Sequence, residues 1–295
     1  MAGAPERLLR RLEWQVLRRL DGALHGAHRT VHRGHGVDLA GMRPYEPGDD
    51  IRHLDWNVTA RLDEPYVRLF TEDREVTAWI VLDRSASMRF GPDGHGKDTT
   101  AGELAVSLAR LLSRSGNPVG AVLYDGEEYR ILPPGHSRRQ VLRLAAALTA
   151  PARQDGTGRT TDLAGMLAKV AAVAGRRGVV IVISDFVGEL DWQRQLTRLN
   201  LRHEVVAVQI TDPAELSLPA VGLVVIEDAE TGEQVYLDTS DPAFGHRLRT
   251  EVDARQQAVT AAMRAAGVRH RTVSTGDDLV AALIDLVRDA TRRRR

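Results

Sequence analysis

The chain contains no cysteine, and that one absence removes disulfide scaffolds, thiolate catalysis and cysteine-ligated zinc together. Any metal it holds must be bound by oxygen or imidazole. Net charge is missing as well: forty basic and forty acidic residues cancel over 295 positions, so no global field calls for nucleic acid. The run Arg292 to Arg295 reads as a solvated basic tail. No segment offers the roughly eighteen unbroken apolar residues that a membrane span requires. The N-terminus also lacks an apolar stretch of signal-peptide length, which makes the cytoplasm the expected location. What is present is an average globular composition, 43% hydrophobic, enough to bury one large or two modest cores.

Arg7 to Leu20 carries Leu8, Leu12, Val16 and Leu20 four apart with arginines on other faces, the pattern of an amphipathic basic helix. Its stripe suits docking on protein, with an anionic membrane surface as the alternative. From Gly22 to Asp73 the pattern breaks into Gly, Pro and charge, with short apolar fragments such as Tyr66 to Phe70, as in a small irregular lobe with strands. From Thr77 onward apolar runs alternate with helical periodicity. Strands are expected at 77–82, 118–124, 128–132, 178–184, 203–210 and 269–273, and helices at 98–114, 137–149, 162–175, 189–200, 242–266 and 277–290. A hairpin near 221–238 turns at Glu230-Thr231-Gly232. The expected fold is α/β, a mainly parallel sheet covered by helices on both faces with right-handed crossovers, over 76–295. The small β-containing lobe and the basic helix occupy 1–75.

Two of these runs end alike. Ala78 to Leu82 stops at Asp83, and Val179 to Ile183 stops, one Ser later, at Asp185. In an open parallel sheet, ligands bind outside the carboxyl ends of the strands. Two such tips from neighbouring strands put two carboxylates at one place. Asp83 also opens Asp-Arg-Ser-Ala-Ser, adding the hydroxyls of Ser85 and Ser87, and Thr161 begins a helix in a second loop. The set is all oxygen and suits a hard divalent cation that keeps some water. Taken one at a time, each residue is also an ordinary N-cap or turn residue.

Asp83-x-Ser85-x-Ser87, Thr161 and Asp185 resemble the metal-ion-dependent adhesion site of von Willebrand factor A domains. Upstream, Gly34-His35-Gly36-Val37-Asp38-Leu39, Arg43 to Asp50, Arg52, Asp55-Trp56 and Ala60-Arg61 look like the signature of the domain-of-unknown-function family fifty-eight (DUF58). In that family a short N-terminal lobe precedes a von Willebrand-type, Rossmann-like domain. The resemblance implies magnesium or manganese held by the two serines and the threonine, with both aspartates in support, often through water. It further implies that an acidic residue of a partner protein fills the last coordination position, and that the partner class is a MoxR-type AAA+ ATPase. Some relatives carry two N-terminal membrane spans that are not seen here, so membrane anchorage is not inherited.

The concentration of Asp49, Asp50, Arg52, Asp55 and Arg61 with Tyr45 and Trp56 suits a salt-bridged network clamping the lobe to the sheet, or else a partner-binding surface. Two other motifs are decoys. Gly91 to Lys97 imitates a phosphate-binding loop, but Asp98 stands where a magnesium-binding hydroxyl belongs and no strand leads into it. His25, His28, His32 and His35 have helical spacing, yet Gly22, Gly26, Gly34 and Gly36 argue against a continuous helix and a zinc site. The function expected is a metal-dependent protein-binding adaptor rather than an enzyme. The alternative is a magnesium-dependent phosphotransferase or hydrolase with Asp83 as nucleophile, which lacks an evident proton-transfer group. A third reading leaves the oxygen cluster as caps and turns without a metal.

Overall fold

A computed structural model describes residues 4–13, 38–62, 64–71, 76–91, 96–150, 161–216, 221–227 and 232–292. The four spaced histidines, Thr160, Arg293 to Arg295 and the residues Glu230-Thr231 of the hairpin turn lie outside the described residues. The chain forms two compact units: His28–Glu75, and Met1–Ala27 together with Val76–Arg295.

Helix α1 (Ala4–Leu12) belongs to the larger unit, as the docking of its stripe requires. Leu9 and Leu12 are fully buried in the core of that unit, and Arg11 pairs with Glu103. The break at 75/76 is kept, but α1 falls with the larger unit and not with the lobe, because its leucines need the apolar surface of the later helices. Residues 14–20 of the expected helix lie outside the described residues.

In the smaller unit, β1 (Asp38–Pro44) pairs antiparallel with β2 (Tyr66–Thr71), with a register irregularity between Leu39 and Gly41. Between them runs α2 (Trp56–Leu62). Asp49 and Asp55 of the expected network are ion-paired, but within this lobe and with Arg43 and Arg68. Arg43 grips Asp49 with both terminal nitrogens, at 2.8 and 2.7 Å. Asp55 caps α2 by accepting from the N–H groups of Asn57 and Val58, and its other oxygen accepts from Arg68 Nε at 2.9 Å. These hydrogen bonds hold both carboxyls below their ordinary range. Trp56, next to the cap, is 71% exposed.

The larger unit continues through β3 (Ala78–Asp83), α3 (Lys97–Arg114), β4 (Val119–Tyr124), β5 (Tyr129–Gly135), α4 (Arg138–Thr149) and α5 (Leu163–Val173). Next come β6 (Val179–Ser184), α6 (Trp192–Arg202), β7 (Glu204–Thr211), the single turn α7 (Pro213–Leu216), β8 (Leu223–Glu227), β9 (Gln234–Asp238), α8 (Pro242–Ala265), β10 (Arg269–Ser274) and α9 (Leu279–Arg292). Six strands form one sheet in the order β10-β7-β6-β3-β4-β5, all parallel except β5 at one edge. Every residue of β3 is buried, which is why its sequence is a continuous apolar run rather than an alternation. Alternate side chains still serve different faces. Ile80 and Leu82 share one core with Leu104 of α3, Leu144 of α4, Leu283 of α9 and Leu12 of α1. Trp79 and Val81 face Leu167 of α5, Leu196 of α6 and Met263 of α8. The hairpin β8–β9 pairs only with itself among the described strands.

The chain enters the sheet at β3, builds outward to β5, then crosses back to lay β6 on the other side of β3. The loops leaving β3 and β6 consequently diverge, and a crevice opens at the carboxyl ends of these two strands. Among the described residues, no helix is long and apolar enough to cross a membrane.

Candidate functional site

Asp83 is the last residue of β3 and has no exposed surface. One carboxylate oxygen accepts from the Ser85 N–H at 2.9 Å, and the other accepts from the Ser184 hydroxyl, at the tip of β6, at 2.7 Å. The loop after Asp83 is pinned by Met88, which sits in a 3-10 turn over Ser87–Arg89 and is wholly buried in the core. That anchor sets Ser85 and Ser87 side by side, their hydroxyl oxygens 3.1 Å apart. Arg84 turns away toward Asp98 and the Ala147 carbonyl.

Asp185 follows β6 and is nearly buried. Its Oδ1 accepts from the Val187 N–H at 3.1 Å, and the Gln209 amide donates to its main-chain carbonyl at 3.2 Å. Phe186 adopts a left-handed backbone with φ of 54°, a conformation costly for an aromatic residue. Its buried ring packs on Trp192 at 5.3 Å between centroids, and its N–H donates to Ser184 Oγ at 3.0 Å. Burial of the ring thus sustains the turn that presents Asp185.

Thr161 directly precedes Asp162, whose side chain caps α5 by accepting from the Gly165 N–H at 2.6 Å. The same loop reaches the end of β4. Tyr124, paired in register with Asp83, has its phenol pushed up to about 12, chiefly by burial and against a hydrogen bond from the Asp162 backbone, with smaller contributions from the charges of Tyr129, Asp162 and Asp83. Asp83, Ser85, Ser87, Ser184 and Asp185 therefore come together in one crevice, and the loop of Thr161 borders its β4 side.

Electrostatically the crevice is uneven, because the donors on Asp83 are a backbone N–H and a hydroxyl. Burial raises the Asp83 carboxyl to about 7, and repulsion from Asp185 adds to this, against the opposing help of Ser184 and Ser85. Among the described residues, no group of three or more acidic, imidazole or thiol side chains is arranged for a metal. A cation here would have to draw on hydroxyls as well as on the two carboxylates. An all-oxygen donor set around an under-compensated buried carboxyl fits a hard divalent ion.

Two further residues belong to the site. Lys97, the first residue of α3, is fully buried and places its ammonium 2.8 Å from Asp185 Oδ2 and 2.5 Å from Glu215 of α7. Burial works against its charge, but Asp185 and then Glu215 outweigh it and raise the ammonium above its ordinary value. The pair is asymmetric: Glu215 is also raised, by its own burial, which exceeds the help it receives from Lys97. The strand-tip logic that picks out Asp83 and Asp185, applied to β7 and its Thr211-Asp212-Pro213-Ala214-Glu215 exit, points to Glu215. For Lys97 the only local hint is a cation at a helix N-terminus, where the dipole disfavours it. The two described glycines of the run before it, Gly91 and Gly96, are in close backbone contact. Gly91 and Gly96 cross so closely that a Cβ on Gly91 would lie 2.7 Å from Gly96 Cα, and the crossing delivers Lys97 inward.

A mainly parallel, doubly wound sheet with an antiparallel edge strand gives the chain a von Willebrand factor A-like fold. The chain belongs to the family described as protein of unknown function DUF58, whose model matches residues 41–260. It is 37% identical over 288 residues to the uncharacterized protein Rv1480 of Mycobacterium tuberculosis, covering 97% of this chain and 89% of the relative. Among solved structures it is similar to the conserved hypothetical protein BatB from Bacteroides thetaiotaomicron, with TM-score 0.46, 14% identity, and 74% of this chain and 99% of that one covered. It is also similar to the von Willebrand factor domain of the type V pili tip protein Mfa5 from Porphyromonas gingivalis, with TM-score 0.38, 11% identity, and coverage of 73% and 96%. At these scores neither structural likeness bears on function.

Proposed function

We propose that the protein is a metal-dependent protein-binding adaptor. In this reading Ser85, Ser87 and Thr161 hold Mg2+ or Mn2+ while Asp83 and Asp185 support it. The bound ion supplies an electrophilic centre on which an acidic side chain of a partner closes. The partner class we infer is a MoxR-type AAA+ ATPase, with the adaptor serving assembly or maturation of other proteins. The observation that carries the reading is the pair of hydroxyls 3.1 Å apart beside a fully buried carboxyl. A hydroxyl pair suits a neutral, shared coordination site better than a catalytic one. Asp83 makes a poor nucleophile for a hydrolase, since both its oxygens already accept hydrogen bonds and neither is exposed.

The test is capture of a purified MoxR-type ATPase by the full chain in Mg2+, in excess chelator, and with Ser85→Ala or Asp83→Ala. The expected outcome is capture in Mg2+ alone, at least about tenfold above the other samples, with the variants keeping the wild-type circular dichroism spectrum. Capture that persists in both variants and still responds to chelator would remove these residues from the metal site.

A further inference from the structure

We propose that Lys97 is a built-in counter-ion of Asp185 that competes with the divalent cation for this carboxylate and withdraws to Glu215 when the ion binds. The inference rests on the metal-binding reading above and adds to it a residue that sets the strength of the site.

The position of Lys97 is physically expensive. It is a fully buried cation at the first residue of a helix, where the macrodipole opposes positive charge. It is tolerated because two carboxylates flank it, at 2.8 and 2.5 Å. The residue type is informative as well. The chain has only two lysines, Lys97 and Lys169, among its forty basic residues. An arginine fork fixes its partners in one plane, whereas an ammonium is a compact point charge on a flexible stem and can shift between two acids.

The two oxygens of Asp185 are divided between two tasks. Oδ1 accepts from the Val187 N–H and Oδ2 from the Lys97 ammonium, so a divalent ion that draws on this carboxylate shares it with Lys97. A divalent ion supported by Asp185 and an ammonium on the same carboxylate repel each other strongly in a buried site. Glu215 gives the displaced ammonium somewhere to go. It lies in α7, where its N–H bonds the Asp212 carbonyl and Asp212 accepts from the Ala214 N–H and from Thr275. Occupation of the crevice is thereby transmitted to the turn after β7 and to the residues that follow β10.

The test uses the full chain labelled with 15N-lysine, which has two ammonium signals to resolve, with Lys97→Met assigning one of them. Titration with Mg2+ is expected to shift the Lys97 signal and leave that of Lys169 unmoved. In parallel, Mn2+ affinity is read by electron paramagnetic resonance for wild type and for the double variant Lys97→Met with Glu215→Gln. This double variant keeps the formal charge of the site, so the release of Asp185 alone should tighten Mn2+ binding about tenfold or more. Mn2+ binding by the double variant but not by wild type would also support the inference. If Mg2+ binds to wild type while the Lys97 signal stays in place, and the double variant matches wild type, Lys97 is structural and the metal reading stands without it. If neither protein binds Mn2+, both readings fall. Should the double variant not fold, the wild-type titration decides.

Discussion

The buried polar residues of this protein divide by how their charge is treated. Lys97 is flanked by carboxylates, 2.8 Å from Asp185 and 2.5 Å from Glu215, whereas burial disfavours the charged form of His203. His203 follows α6, is 5% exposed, donates its N–H to the Leu199 carbonyl and leaves Nδ1 without a hydrogen-bond partner. Burial, with Arg202 adding repulsion, lowers its pKa below the ordinary value of about 6.5. The native state thus refuses a proton that the unfolded chain accepts. Its contribution to stability is complete above about pH 6.5 and is lost as pH falls below that value. Asp83 and Glu215, both raised by burial, act oppositely, favouring the fold as pH falls through the same window. The readout is therefore the difference between wild type and His203→Gln in urea midpoint at pH 8 and pH 5.5. The variant should lose less stability on acidification than wild type, and equal losses would mean that His203 takes up its proton in the folded state without penalty. His270, lowered by burial and Arg271, leaves a residual slope in both proteins.

Among the elements, the strands were the most legible in the sequence, because doubly covered parallel strands read as unbroken apolar runs and their ends present polar residues. Asp83, Ser85, Ser87 and Asp185 could be named from those ends alone. What could not be read were contacts that depend on the crossover. Lys97 meets Asp185 and Glu215 across 88 and 118 residues, and Gly91 and Gly96 imitate a phosphate-binding loop in sequence although in the fold they let two backbone segments touch. That α1 docks was legible from its stripe, but the surface it docks on was not, since that surface is supplied by α3 and α4, far along the chain. The glycine crossing makes a specific demand. A Cβ on Gly96 would lie 2.6 Å from the Phe90 carbonyl oxygen, a backbone atom that cannot swing aside. Gly96→Ala should cost about 1–3 kcal/mol in urea unfolding. Gly175→Ala, with nothing within 4 Å, should be neutral or slightly stabilising through the unfolded chain. Equal effects at the two positions would mean that the crossing yields without strain and does not fix Lys97.

At the scale of the whole molecule, the crevice exists only while β3 and β6 lie side by side, since Asp83 leaves one and Asp185 follows the other. A ligand of that crevice binds the native larger unit and not the unfolded chain, so it must stabilise the unit by mass action. At a free ion concentration a hundred times its dissociation constant the gain is about 2.7 kcal/mol. For a domain of this size each kcal/mol moves the thermal midpoint by about 2–4 °C. Mg2+ titrated into the full chain should raise the midpoint of calorimetric unfolding by about 5–10 °C, climbing with the logarithm of concentration and returning on addition of chelator. Ser85→Ala and Ser87→Ala leave the core contacts of Met88 in place, so they should keep the metal-free midpoint near wild type while flattening this response. A rise that persists in both serine variants would locate the ion elsewhere in the molecule. A flat response in wild type would leave Asp83, Ser85 and Ser87 as the caps and turns that each of them is when taken singly, and Lys97 as the cation that the crevice holds.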